Sequence, residues 1–307
     1  MRIITAGSRF VDIDAYAGCI AYAELLNLQG IEAKAVSHAP INASVPPVLL
    51  ELEVDLSRDY TPDPSDTFTL VDTADPEAFE AMVDFERIDE IIDHRSGFEP
   101  YWRDRGQVGI DIEFVGAACT MIYERWVRAG LQHKMMPSTA QLLASGILDN
   151  TLNFGAEVTT DRDKRAYEEL AVIADLSKDW PALYFDACQK AIQADLEAAI
   201  RDDSKIMQFK GWEGKLGIGQ LVIWDAKKII SQDLPTIERV MPTIHTPWFM
   251  SIISISENKN YLFCLDKQLQ KYLSGLLGVE FKDNIAHTTR MWLRKEINKK
   301  ALEQGKV

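Results

Sequence analysis

The chain lacks several features that define common classes of protein. Its four cysteines, Cys19, Cys119, Cys188 and Cys264, show no CxxC spacing, so neither a zinc ribbon nor a disulfide framework is predicted. No apolar run approaches the roughly 18 residues of a membrane span, and the N-terminus becomes polar too early for a signal peptide. We therefore expect reduced, buried thiols and a cytoplasmic protein.

An excess of positive charge is also missing. The formal net charge is −14, and a protein of this charge repels phosphate backbones and anionic membranes at long range. Neither nucleic acid nor membrane is therefore expected as a partner. A local basic site remains compatible with this composition.

The remaining composition is that of an ordinary globular protein of two domains. Apolar residues make up 47% of the 307 residues and charged residues 26%, which is enough for a substantial core. Dividing the length by about 150 residues per domain predicts two domains. Trp180-Pro181 interrupts the helical pattern, and we place the boundary there, with domains 1–183 and 184–307.

Short apolar strands alternate with helical segments in the first half of the chain. Residues 2–6, 68–71 and 90–92 predict strands, and this alternation is typical of an α/β domain with a doubly wound, mainly parallel sheet. Residues 215–224 and 250–256 alternate in polarity, which predicts a smaller α/β domain with a mixed sheet. In doubly wound sheets, ligands bind beyond the carboxyl ends of the strands.

Acidic residues and one histidine occur near those predicted strand ends. Asp12 and Asp14 are two residues apart on a segment predicted to be extended, so their side chains would project to the same side. Asp72 and His94 each follow a short apolar strand. Carboxylates with one imidazole suit Mn²⁺, Mg²⁺ or Co²⁺ better than a thiolate-rich zinc site.

Each of these residues also has a structural interpretation. Two acids in a loop are commonly solvated, Asp72 is equally suited to cap a helix ahead of Pro76, and a single histidine is more often structural than a metal ligand. The chemistry implied by a metal site is phosphoryl hydrolysis, because two divalent ions about 3.5–4 Å apart hold the attacking and leaving oxygens.

The order of the motifs resembles a known superfamily. The segments VDIDA, LVDT, IIDHR, VGAACTMIYERW and GILDNTLNF are similar to the successive motifs of the DHH phosphoesterases. Downstream, Asp203-Ser204-Lys205, GKLGIGQLVIWD and Leu293-Arg294-Lys295 resemble the C-terminal domain of manganese-dependent (family II) inorganic pyrophosphatases and prune-like short-chain exopolyphosphatases. The resemblance covers nearly the whole chain.

The resemblance implies a DHH-type catalytic domain in residues 1–183, a substrate-gripping domain in residues 184–307, and an active site in the cleft between them. It implies two Mn²⁺ ions, or Mg²⁺ or Co²⁺, and a small phosphorylated substrate such as pyrophosphate or short-chain polyphosphate, attacked by a metal-bound hydroxide. A homodimer is compatible with it. The implied metal ligands are Asp12, Asp14, Asp72, His94 and Asp149, with Asp72 and Asp149 bridging. The implied substrate-binding cations are Arg95, Lys205, Arg294 and Lys295.

Two positions depart from the pyrophosphatase pattern. Ser8 stands where that pattern has its first histidine, and Arg95 replaces the second histidine of the DHH motif, as in the prune-like branch. A guanidinium can hold a phosphate through two hydrogen bonds but has no accessible proton to transfer. The main hypothesis is therefore a metal-dependent phosphohydrolase, and the alternative is a binding or regulatory protein that keeps the fold without turnover. A third interpretation takes all these residues as caps, turn formers and solvated acids.

Overall fold

A computed structural model describes residues 1–106 and 108–303 of the chain. The chain divides into two compact units, Met1–Pro181 and Ala182–Val307, and the division falls within one helix, Trp180–Ala194. Among the residues described, no helix is both long and apolar enough to cross a membrane.

The first unit contains the predicted parallel sheet. Its strands are β1 (Arg2–Thr5), β2 (Ala33–Ala35), β3 (Thr67–Val71), β4 (Ile88–Asp93) and β5 (Gly109–Ile112). They pair in parallel throughout, in the order β2-β1-β3-β4-β5. The chain moves outward from β1 to β2 and then returns to the far side of β1, so the order reverses between β1 and β3. Such a reversal is where doubly wound sheets bind ligands.

Helices follow the strands of this unit. They are α1 (Ile13–Leu28), α2 (Pro47–Leu50), α3 (Glu99–Arg103), α4 (Ala118–Ala129), α5 (Pro137–Asn150), α6 (Asp161–Ile173) and α7 (Trp180–Ala194). The strands pack into an apolar core that includes Ile3, Phe68, Ile91 and Trp102. These four side chains have no exposed surface.

One local prediction in this unit was wrong, and one of the two interpretations of Asp72 is not found. The segment carrying Asp12 and Asp14 is not extended, because α1 already begins at Ile13 and the Asp12 carboxylate caps it by accepting from the Ala15 backbone N–H at 3.0 Å. Asp72 does not cap a helix either. Asp75 does so instead, accepting from the Glu77 backbone N–H ahead of the short 3₁₀ turn Pro76–Ala78.

The second unit contains the predicted mixed sheet. Its strands are β6 (Ser204–Gln208), β7 (Lys215–Ile223), β8 (Trp248–Ser254), β9 (Lys259–Phe263) and β10 (Ile285–His287), and its remaining helices are α8 (Leu196–Asp202), α9 (Ala226–Gln232), α10 (Leu234–Ile244), α11 (Lys267–Leu277) and α12 (Arg294–Glu303). The strand order is β10-β9-β8-β7-β6. Strands β7 and β8 are parallel, and the other pairs are antiparallel. The core of this unit includes Phe209, Phe249 and Leu273.

Candidate metal centre

Three strand ends bring two carboxylates and an imidazole together. Asp72 follows β3, His94 follows β4, and Asp14 lies in the first turn of the helix after β1. One ligand atom from each of these residues lies within 4.8 Å of the others, and all three residues are buried. The group therefore sits at the carboxyl edge of the sheet, where the strand order reverses between β1 and β3.

Asp72 adopts a backbone conformation that aims its side chain into this group. Its φ of 56° lies in the left-handed region, which aspartate tolerates better than most residues. Its backbone N–H donates to the Ile92 carbonyl at 2.9 Å. This bond ties the end of β3 to β4, next to His94.

Asp14 is held by the N-terminus of a distant helix. Its carboxylate has no exposed surface, and it accepts hydrogen bonds from the backbone N–H groups of Ala118 (2.8 Å) and Cys119 (2.7 Å). These are the first residues of α4, whose free N–H groups favour an anion. Burial, followed by the negative charge of Asp72, nevertheless raises the pKa of Asp14 to about 6.

His94 is oriented by a backbone carbonyl. Its Nδ1 lies 3.1 Å from the Val115 carbonyl oxygen, and because that oxygen can only accept, Nδ1 carries the proton and donates. Nε2 faces Asp72 Oδ1 at 3.3 Å and Asp14 Oδ2 at 3.8 Å. Burial opposes protonation of the ring, but the hydrogen bond to Asp72 and the charges of both acids outweigh it and raise the pKa of His94. Nε2 is thus the nitrogen available to a cation.

The donor set fits a hard divalent cation. Removal from water, followed by the charges of Asp72 and Asp14, raises the pKa of Asp12 to about 8. Carboxylates that repel one another in this way are stabilised by a shared cation. Two carboxylates and one imidazole, with no thiolate in the group, match the ligand preference of Mn²⁺ and related ions.

Arg95 lies beside this group as a fixed positive charge. Its Nε donates to Asp93 Oδ1 at 3.0 Å, and its Nη2 donates to Asp72 Oδ1 at 3.0 Å and to the Asp72 carbonyl. The charge of Asp72 is the largest cause that raises the pKa of Arg95 above its ordinary value. The side chain is 49% exposed. Asp93 therefore orients Arg95 and is not a member of the ligand group.

The structure does not gather all the predicted ligands into one group. Among the described residues, the close group contains neither Asp12 nor Asp149. Asp149 lies on α5, three residues after Gly146, and a Cβ at Gly146 would stand 3.4 Å from the Asp14 Cα. Ser8 is exposed, and its backbone N–H donates to the Ala78 carbonyl at 2.7 Å. Metal binding by Asp12 and Asp149 remains a prediction.

The predicted substrate-binding cations of the second unit occupy β6 and the start of α12. Lys205 and Lys295 are exposed. Arg294 is 8% exposed. Its Nη1 donates to the Asp203 carbonyl at 2.7 Å, and its Nη2 donates to Asp203 Oδ1 at 2.5 Å. Asp203 thus fixes the Arg294 guanidinium directly before the strand that carries Lys205. Phosphate binding by these residues remains a prediction.

Sequence reasoning missed two contributors to the centre. One is the Val115 carbonyl that orients His94, since a backbone oxygen leaves no mark in a sequence. The other is Asp163, whose carboxylate is fully buried and accepts from the Gly116 backbone N–H at 3.0 Å. The spacing of Thr160 and Asp163 indicates a helix cap, but it does not indicate a contact 47 residues away.

Known proteins resemble the chain in both sequence and fold. Residues 2–147 match the DHH family, N-terminal domain. A probable manganese-dependent inorganic pyrophosphatase of Lactobacillus delbrueckii subsp. bulgaricus is 24% identical over 303 residues, which is 94% of each chain. A second, from Bacillus licheniformis, is 27% identical over 186 residues, which is 58% of this chain and 57% of the relative.

Two solved structures share the fold. A protein of Methanococcus jannaschii assigned to the family II inorganic pyrophosphatases has a TM-score of 0.70 and 21% identity, covering 98% of this chain and 100% of the other. An exopolyphosphatase-related protein from Bacteroides fragilis has a TM-score of 0.52 and 12% identity, covering 99% and 90%. The segment that matches the N-terminal domain of the DHH family, residues 2–147, is the one that carries Asp14, Asp72 and His94.

Proposed function

We propose that the chain is a metal-dependent phosphohydrolase that cleaves a phosphoanhydride, either pyrophosphate or short-chain polyphosphate, or a related small phosphoester. The observation that carries this proposal is the buried group of Asp14, Asp72 and His94 at the edge of the parallel sheet. A binding site without chemistry has little need for two buried carboxylates so close together that the charge of Asp72 raises the pKa of Asp14. A hydrolytic metal site needs such ligands.

The relatives support this reaction class. They are named as probable manganese-dependent inorganic pyrophosphatases. The reaction that they favour is therefore hydrolysis of a phosphoanhydride bond with Mn²⁺. Asp14, Asp72 and His94 would hold the ion, and Asp12 and Asp149 would complete the ligand set. Mg²⁺ and Co²⁺ suit the same oxygen and nitrogen donors.

The roles of the protein's own groups follow from their charge and position. A divalent ion held by Asp14, Asp72 and His94 would neutralise charge on the phosphoryl oxygens and would lower the pKa of a water molecule. Arg95, which is oriented by Asp93, would bind a phosphoryl oxygen. Lys205, Arg294 and Lys295 of the second unit would bind the remaining oxygens, so that a strongly acidic protein accepts an anion through a local set of cations.

The test is phosphate release from pyrophosphate, tripolyphosphate and a simple phosphomonoester in the presence of Mn²⁺, Mg²⁺ or Co²⁺. We expect turnover of at least one phosphoanhydride, and we expect Asp72→Ala and Asp149→Ala each to abolish it. Asp161→Asn is the matched control, because this side chain is 92% exposed. Absence of turnover with every ion would refute the proposal, and activity in both alanine variants would refute the ligand assignment.

A binding or regulatory protein is the second candidate. The exposed Ser8 in place of the first histidine, and the Arg95 guanidinium in place of the second, favour it. Metal content separates the two functions. Two divalent ions per chain with turnover support the enzyme, whereas phosphate binding with one ion or none, and without hydrolysis, supports the regulator.

A further inference from the structure

One short segment contacts both Asp14 and His94. Within residues 115–119, the Val115 carbonyl accepts from His94 Nδ1, while the backbone N–H groups of Ala118 and Cys119 donate to the Asp14 carboxylate. The position of this segment therefore sets the rotation of the imidazole and the direction of the carboxylate at the same time. A shift of the segment would misalign two candidate ligands together.

A buried carboxylate from another helix holds this segment in place. Asp163 Oδ2 accepts from the Gly116 backbone N–H at 3.0 Å, and Asp163 Oδ1 accepts from the Thr120 hydroxyl at 2.6 Å. Asp163 lies on α6 and has no exposed surface. Its two oxygens thus hold the segment at Gly116, near its start, and at Thr120, directly after its end.

The approach of Asp163 requires glycine at position 116. A Cβ on Gly116 would lie 2.6 Å from Asp163 Oδ2 and 2.7 Å from Thr151 Cγ2. Both distances are shorter than van der Waals contact, so any side chain at this position would push Asp163 away. The close contact is therefore specific to this pair of residues.

We propose that Asp163 is a positioning residue of the metal centre, which acts on His94 and Asp14 through residues 115–119. This inference rests on the proposed function only in that the centre binds a divalent ion. Asp163 also forms a capping box with Thr160, whose backbone N–H and hydroxyl lie 2.8 and 2.7 Å from Asp163 Oδ2. The helix cap requires only the bonds between Asp163 and Thr160. The bonds from Gly116 and Thr120 to Asp163 play no part in capping.

The experiment is a calorimetric titration of the full-length protein with Mn²⁺. In Asp163→Asn, the negative charge that strengthens both bonds is lost, and the amide NH₂ either displaces the Gly116 N–H or obliges the Thr120 hydroxyl to accept instead of donate. Removal of such outer partners typically weakens metal binding roughly 10- to 100-fold, and we expect a rise in Kd of that size. Thr160→Ala is the matched control. It removes the hydroxyl of the cap and leaves the bonds to residues 116 and 120, so it should lower Tm without changing Kd.

Two further variants keep the inference testable if Asp163→Asn does not fold. Thr120→Val removes a single donor and should raise Kd several-fold, and Gly116→Ala should raise it more by displacing Asp163. Wild-type Kd in the folded variants, or an equal rise in Thr160→Ala, would overturn the positioning role. If the wild-type protein binds Mn²⁺ but cleaves no phosphoanhydride, the proposed function fails and this inference stands. If it binds no divalent ion, both fail.

Discussion

Arg95 places a permanent positive charge where an imidazole could also transfer a proton. Its guanidinium is bonded to Asp93 and Asp72, so its charge is fixed in place beside the candidate metal ligands. The same charge prevents proton transfer, because an arginine stays protonated at any working pH. At this position the chain therefore offers a phosphate-binding cation and no general acid.

Replacement of Arg95 by histidine should add proton transfer. General acid catalysis typically raises a reaction rate by about 10²- to 10⁴-fold. Part of that gain would be lost because the histidine ring lacks the bonds that Arg95 makes to Asp93. We therefore expect at least a tenfold rise in kcat for pyrophosphate in Arg95→His. The measurement is kcat for pyrophosphate and tripolyphosphate at pH 7 with Mn²⁺. Arg95→Lys keeps the charge and serves as the control. Equal losses of activity in both variants would contradict this expectation.

Glu257 in the second unit should give stability that disappears in acid. Burial opposes ionisation of this carboxylate, but hydrogen bonds from Tyr261 (2.9 Å), Lys227 and Lys259 (both 3.2 Å) outweigh it and lower its pKa from 4.5 to about 2. Because the folded pKa lies below the unfolded one, the contribution is complete above about pH 4.5 and is lost as the pH falls towards 2.

The corresponding variant is Glu257→Gln, compared with the wild type by urea unfolding. At pH 7 we expect the variant to lose about 1 kcal/mol, a value reduced for solvent screening of the two lysine pairs. At pH 3 the difference should fall to about half, since the carboxylate is then protonated in the unfolded chain. A difference that does not depend on pH would show that the charge is not responsible.

At the scale of helices and strands, the sequence predicts the parts of the centre that adjoin apolar strands. Asp72 and His94 follow directly after such runs, so the pattern that identifies β3 and β4 also locates these residues. The conformation of Asp12 and Asp14 was predicted wrongly, because an aspartate just before a helical run indicates a helix cap as readily as the end of an extended segment.

Contacts between distant segments could not be predicted. Asp14 accepts a hydrogen bond from the backbone N–H of Ala118, which is 104 residues away in the sequence, and no period or spacing links the two. Asp163 and Gly116 are separated by 47 residues, and only the packing of α6 against α4 brings them together. The ligands are thus visible in the sequence, whereas the groups that orient them appear only once helices pack.

Helix α5 passes close to Asp14 because Gly146 has no side chain. A Cβ there would lie 2.5 Å from Cys119 Sγ and 3.4 Å from the Asp14 Cα. Gly146→Ala should therefore destabilise the protein by about 1–3 kcal/mol, the usual cost of overpacking, and should weaken Mn²⁺ binding. Urea unfolding and a metal titration measure the two effects.

Gly275 provides the matched control for this substitution. It lies on α11, and a Cβ there would meet no atom within 4 Å. Gly275→Ala should stabilise the protein by about 0.5–1 kcal/mol through helix propensity, with no change in metal binding. If both variants behaved alike, the close approach of α5 would not be a constraint on the centre.

For the molecule as a whole, the candidate metal ligands and most of the candidate phosphate-binding cations belong to different units. Asp14, Asp72 and His94 lie within Met1–Pro181, and Lys205, Arg294 and Lys295 lie within Ala182–Val307. In a chain of net charge −14, anion binding has to depend on such a local set of cations. Metal affinity and substrate affinity should therefore respond to different substitutions.

Lys205→Gln and Asp14→Asn, both in the full-length protein, test this division. A charged contact to a phosphate contributes about 1.5–3 kcal/mol, so Lys205→Gln should raise KM for the phosphoanhydride roughly 10- to 100-fold while the Kd for Mn²⁺ stays at the wild-type value. Asp14→Asn should instead raise the Kd for Mn²⁺, because an amide oxygen is a weaker ligand for a divalent cation than a carboxylate. A Lys205→Gln protein with weakened Mn²⁺ binding and an unchanged KM would contradict the assignment of substrate binding to the second unit.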